Sequence, residues 1–176
     1  MQDLRYPIGE FSFPERTTAQ ERRGWIREIE ALPAHLRAAV RGLSKPQLDT
    51  PYRPGGWTVR QLTHHLPDSH LNAFVRFKLA LTEAEPTIKP YDEARWATLP
   101  DYTVTPVEVS LELLESLHTR WVGLLRSLGE AELALAFRHP ELGRAIRLDQ
   151  SLGHYAWHSR HHVAHITKLR ERMGWQ

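Results

Sequence analysis

The sequence predicts an all-α fold, a four-helix bundle with a long crossover loop and a small β-hairpin before the last helix. Four long stretches repeat apolar residues at helical spacing, strand-like alternation is confined to one short segment, and no βαβ alternation appears. At 176 residues the chain can bury one substantial core, so a single domain over 1–176 is expected.

Each element has its own signal. Residues 1–16 carry Pro7, Gly9 and Pro14 among several aromatics and read as an extended arm. Thr17 or Thr18 can cap a first helix bearing Trp25, Ile26, Ile29 and Leu32. Pro33 interrupts this series and Leu36, Ala39, Val40 and Leu43 resume it, so a kink or restart is expected. Residues 44–57, dense in Pro and Gly, are a connection.

Thr58 followed by Gln61 is a capping box for a second helix running to about Thr82. Its inner stripe is Val59, Leu62, Leu66, Ser69, Ala73, Phe77 and Ala80. His65 lies on the interior side of that stripe, whereas His64 should point outward. The stretch 84–104 has no sustained periodicity. It is either a surface crossover between two parallel-running helices, anchored by Trp96 and Tyr102, or the cover of an active site.

Thr105 and Glu108 form a second capping box, with Pro106 at the first helical position. This third helix should reach about Leu128 before Gly129, with Val109, Leu113, Leu114, Leu117, Trp121, Leu124 and Leu125 as core. Residues 136–148 alternate about a Pro-Glu-Leu-Gly turn and predict the hairpin. Asp149 can cap the last helix, which runs to about Met173 and ends at Gly174.

Composition narrows the function classes. The net charge of +2 is near balance, and no Lys/Arg run makes a nucleic-acid patch. No apolar run approaches the ~20 residues of a membrane span, and the start lacks a signal-peptide core, so a cytoplasmic protein is expected. The chain has no cysteine, which excludes disulfides, cysteine-ligated zinc and a protein thiol nucleophile. Gly-rich phosphate loops, a Gly-x-Ser-x-Gly elbow and His-Glu-x-x-His are likewise missing from the sequence.

Chemistry concentrates in Leu152–Ile166, which holds five of the 11 histidines. At about 100° per residue, His154, His158, His162 and His165 fall on one stripe, with His161 at its flank. His158-x-x-x-His162 projects two imidazoles to one side, and His65 is the natural third ligand from the second helix. Three neutral histidines leave a position for water or substrate and suit Zn, Ni, Co or Fe alike. Asp68, one turn beyond His65, could orient a ligand imidazole or accept a proton. His165 and Tyr155 lie on the ligand face as supporting residues, with His165 also a candidate acid or base. His154 is open between packing and the site, and His161 should face outward or a subunit boundary. His35, His70, His118 and His139 read as surface or structural residues, and Arg76 as a snorkelling arginine or a contact for an anionic group.

These pieces resemble the DinB-like metalloproteins, and within them the YfiT branch. The resemblance rests on Gly55-Gly-Trp-Thr-Val-Arg-Gln-Leu-Thr-His-His-Leu-Pro-Asp-Ser-His70, on Thr87-Ile-Lys-Pro-Tyr-Asp-Glu93 and on the His158-x-x-x-His162 helix, and covers about Tyr6 to Trp175. The family's Trp-x7-His-x-x-Asp pattern falls on Trp57, His65 and Asp68. His165 stands where many relatives carry Gln. The resemblance implies a four-helix bundle with a long crossover, a homodimer, and one divalent metal on three histidines.

It also implies either transfer of a low-molecular-weight thiol such as bacillithiol to an electrophilic substrate, or metal-dependent hydrolysis of a small molecule. For thiol transfer the cysteine-free chain fits, because the sulfur arrives with the cosubstrate. For hydrolysis, Asp68 or His165 would be the base. A non-enzymatic metal-binding stress-response protein is the third reading, with His161 or His165 closing the shell.

Overall fold

A computed structural model describes residues 3–175. Its frame is four long helices, α1 (Ala19–Val40), α3 (Val59–Thr82), α6 (Val107–Ser127) and α8 (Leu148–Met173). Between them lie single-turn helices α2 (Lys45–Leu48), α4 (Glu93–Trp96), α5 (Asp101–Val104) and α7 (Glu130–Leu133), and strands β1 (Ala136–His139) and β2 (Arg144–Arg147) precede α8. Among the described residues no helix is long and apolar enough to cross a membrane.

Local signals start and stop these helices. Thr18 accepts from the Glu21 amide at 3.2 Å while the Glu21 carboxylate accepts from the Thr18 amide at 2.7 Å. Thr58 and Gln61 repeat the exchange at 3.1 and 2.9 Å. α8 stops at Gly174, whose φ of 65° is a left-handed conformation that glycine adopts without a Cβ clash.

α1 packs on α6 and α8, and α3 packs on the same two helices from the opposite side. His64 meets Ser110, His70 meets His118 and Phe77 meets Trp121, so α3 and α6 run parallel. α1 and α8 are parallel too, since Trp25 meets Gly153, Glu28 meets Arg160 and Ala39 meets Arg170. A parallel pair needs a long return connection, and the crossover between α3 and α6 supplies it. Tyr102, one of its expected anchors, is fully buried, whereas Trp96 is half-exposed against Tyr91. Part of the crossover pairs with the hairpin, Ile88 donating to the Arg138 carbonyl at 3.0 Å, and β1 and β2 bury Phe137 against Ile146.

The core is split. One apolar cluster holds Phe77, Trp121, Leu125, Leu148 and Leu152, the other Leu32, Leu36, Leu62, Leu66, Leu114 and Ile166. Burying each of these side chains contributes about 1.5–3 kcal/mol. His65, His70, His118, His158 and His162 form a polar layer between the clusters.

Five expectations are corrected. Pro33 does not restart the first helix: α1 runs through it unbroken to Val40, with Leu32 and Leu36 buried on either side. Thr105 does not cap the third helix: its amide donates to Asp101 and closes α5, so α6 begins at Val107. Val109 and Leu113 are exposed on α6, whose inner face is Val107, Leu111, Leu114, His118, Trp121 and Leu125. Asp149 is no cap either. α8 starts at Leu148, Gln150 reaches back to the Arg147 amide, and Asp149 accepts from Arg147 and Thr17. His64 is buried, its Nδ1 2.7 Å from the Ser110 hydroxyl, because α6 packs on that side of α3.

Candidate metal centre

His158 and His162 stand one turn apart on α8 and turn the same way, their Nε2 atoms 3.1 Å apart. α3 crosses them and supplies His65, whose Nε2 lies 3.3 Å from that of His158. The three residues that spacing selects as ligands are thus brought together, all buried, with ligand-capable nitrogens within 4.8 Å of one another.

Burial governs their electrostatics. It lowers His65 to about 3 and holds His158 and His162 well below the ordinary 6.5, with neighbouring imidazoles pushing the latter two further down. All three are therefore neutral at pH 7, the form that ligates. Trp57 covers the His65 ring at 4.7 Å between centroids.

His165 lies on the outer side. Its Nε2 is 3.0 Å from the Arg5 carbonyl and its Nδ1 is 3.3 Å from Nδ1 of His162. A carbonyl only accepts, so His165 Nε2 carries the proton and its Nδ1 accepts from His162. His162 Nε2 is then left bare, facing the centre. Three buried neutral nitrogens, one with its lone pair fixed inward, fit a borderline divalent cation of the Zn or Ni kind and not the oxygen-seeking Mg or Ca.

Other predicted residues fall elsewhere. Asp68 meets no ligand imidazole; its carboxylate accepts from Tyr102 at 2.6 Å, and burial raises its pKa. Among the described residues His65 Nδ1 has no partner. His161 does not face outward as expected. It is buried against Trp157, with ring centroids 4.4 Å apart, because the N-terminal arm brings Tyr6 over it. His161, His162 and His165 also gather, but Arg5 and His162 already engage both nitrogens of His165.

A cavity of about 390 Å³ reaches all three candidate ligands and is walled by Trp57, Arg76, Tyr91, Glu93, Glu141 and His154, among others. The crossover supplies Tyr91 and Glu93 to this wall. Arg76 approaches the Tyr155 hydroxyl at 3.5 Å, and burial lowers His154 to about 4.

His70 and His118, read from the sequence as surface or structural residues, are both interior. The signal was available. His70 is four residues from Leu66, three from Ala73 and seven from Phe77, and His118 stands likewise to Leu114, Trp121 and Leu125, all buried.

The DinB superfamily model matches residues 28–166. Proteins of Bacillus mycoides strain KBAB4 and Bacillus cereus strain 03BB102, both provisionally named metal-dependent hydrolases, are 57% identical over 175 residues, covering 99% of this chain and all of theirs. Among solved structures, YfiT from Bacillus subtilis, described as a probable metal-dependent hydrolase with an unusual four-helix bundle topology, superposes with a TM-score of 0.96. It is 50% identical over 98% of this chain and 99% of its own. The family match, the end-to-end relatives and the shared bundle agree: this chain belongs to the DinB superfamily.

Proposed function

We propose that this protein is a divalent-metal-dependent enzyme in which His65, His158 and His162 hold one ion, Zn or Ni first and Co, Fe or Mn after them. The observation that carries this reading is the convergence of three buried neutral imidazoles on the wall of a cavity of about 390 Å³. When bound, such an ion lowers the pKa of a thiol or a water and polarises a substrate oxygen.

The chain's own residues bind and orient. Arg76 offers an anionic group on the substrate a fixed cation, and Glu93 and Glu141 stand on the same wall to hold an ammonium. Trp57 and Tyr91 narrow the space around the histidines and limit water. A small zwitterionic molecule is the ligand this wall suits.

Transfer of a low-molecular-weight thiol to an electrophile is the reading the geometry favours. A thiol ionises near 8.5 and water near 15.7, so the thiol needs less help from a base. Of the two expected bases, Asp68 is bonded to Tyr102 and His165 to the Arg5 carbonyl and His162, and neither lines the cavity. Hydrolysis is the second reading, favoured by the names of relatives 57% identical to this chain. The thiol reading fits a cytoplasmic protein, where small thiols stay reduced. We also assign the exposed Val109 and Leu113 face of α6 to a homodimer, which Leu113→Glu should dissociate in sedimentation.

The test is metal content in untagged protein never exposed to a nickel column. One ion per chain is expected, lost in His65→Ala, His158→Ala and His162→Ala. A metal-free wild type, or variants that retain the ion, would overturn the reading. The loaded protein is then offered a bacillithiol-type thiol with a chloro- or epoxy-electrophile, alongside ester, amide and lactone panels. A conjugate dependent on both thiol and metal supports transfer, whereas turnover without thiol supports hydrolysis.

A further inference from the structure

The proline inside α1 and the two histidines buried between α3 and α6 form one device. Proline has no N–H, so Pro33 cannot donate to the residue four positions earlier and leaves the Ile29 carbonyl without its helical partner. His118 takes that place, its Nδ1 2.6 Å from the Ile29 oxygen. His118 Nε2 lies 3.0 Å from Nδ1 of His70, and His70 Nε2 lies 3.2 Å from Nδ1 of His158.

A carbonyl can only accept, and that fixes every proton along the line. His118 donates from Nδ1, so its Nε2 accepts from His70 Nδ1. His70 Nε2 is then bare and accepts from His158 Nδ1. His158 is left with a bare Nε2 pointing at His65 and His162. The Arg5–His165 contact fixes His162 in the same sense, so two lone pairs face each other across 3.1 Å. Lone pairs at that distance repel unless a cation lies between them.

We propose that His70 and His118 are positioning residues that lock His158 as an Nε2 ligand, anchored on the backbone carbonyl that Pro33 leaves free. This rests on the metal reading above. The chain is an anchor and not a proton wire, because its far end is a carbonyl that takes no proton. Hydrogen bonds to the second nitrogen of a ligating histidine set its orientation and basicity, and their loss typically costs 10–100-fold in metal affinity.

The test is two-bond ¹H–¹⁵N spectroscopy of the histidine rings in metal-free protein, paired with zinc affinity by chelator competition. Wild-type His158 is expected in the Nδ1–H tautomer. In His118→Phe that tautomer should become mixed and zinc affinity should fall about 10–100-fold. His118→Gln, whose amide can donate to Ile29 and accept from His70, should recover affinity to within a few-fold. Wild-type His158 in the Nε2–H form would overturn the proposal even if His118→Phe failed to fold. A folded His118→Phe with unchanged tautomer and affinity would overturn it as well. A wild type that binds no zinc would remove the function proposed above, while the tautomer spectrum would still decide the relay.

Discussion

At the scale of single residues, the carboxylate of Asp68 shows how burial and one hydrogen bond set a side chain's work. Burial raises its pKa, and the Tyr102 hydroxyl opposes that by donating to it at 2.6 Å. Tyr102→Phe should leave the half-buried carboxylate unsatisfied and cost about 1–3 kcal/mol in urea unfolding. Zinc affinity should stay within a few-fold, since Asp68 touches no candidate ligand; a loss comparable to His158→Ala would give Asp68 a direct role. The three candidate ligands were legible in the sequence, because i, i+4 spacing and an interior stripe are properties of one helix. The partners of the polar residues around them were not. Asp68 goes to Tyr102, His165 to Arg5 and His118 to Ile29, and each pairing depends on a segment distant in sequence.

Among elements, the contact between α1 and α8 is close at Gly153. A Cβ on Gly153 would stand 3.1 Å from the Trp25 indole. Gly153→Val adds two further carbons against that ring, and overpacking of this kind costs about 1–3 kcal/mol. Denaturant titration should show the loss, and an unchanged midpoint would mean that Trp25 swings aside. Element boundaries were readable where one residue does one job, as Thr18, Thr58 and Gly174 do. They failed where a residue serves a neighbour. Thr105 closes α5 before it can open α6, and Asp149 answers Arg147 and Thr17. The inner face of α6 was misjudged because Val109 and Leu113 stand at helical spacing from the buried Leu117 although both are exposed.

For the molecule as a whole, a layer of imidazoles inside an apolar bundle makes stability depend on pH. Burial lowers the pKa of His64, and lowers that of His118 to about 4, from an unfolded value near 6.5. The unfolded chain thus binds more protons in this window. The stability is present above about 6.5 and is lost as pH falls toward 4. Metal-free protein should melt several degrees lower at pH 5.0 than at pH 7.5, since about 1 kcal/mol moves the midpoint of a chain this size by about 2–4 °C. A flat profile would place water or a counter-charge beside these rings.

The parallel run of α3 and α6 has a consequence of length. Returning along α6 means covering about 32 Å at 1.5 Å per residue for its 21 residues. About ten extended residues would suffice, yet the chain places 24 between Thr82 and Val107. More than half of that connection is slack as far as connectivity goes, and the slack carries Tyr91 and Glu93 to the cavity. Replacing residues 89–95 with a shorter Gly/Ser bridge should therefore leave the bundle folded, by circular dichroism, and still able to bind zinc. Turnover or ligand binding should fall at least tenfold. The topology demands a return path, and the surplus in that path is free to vary with the substrate.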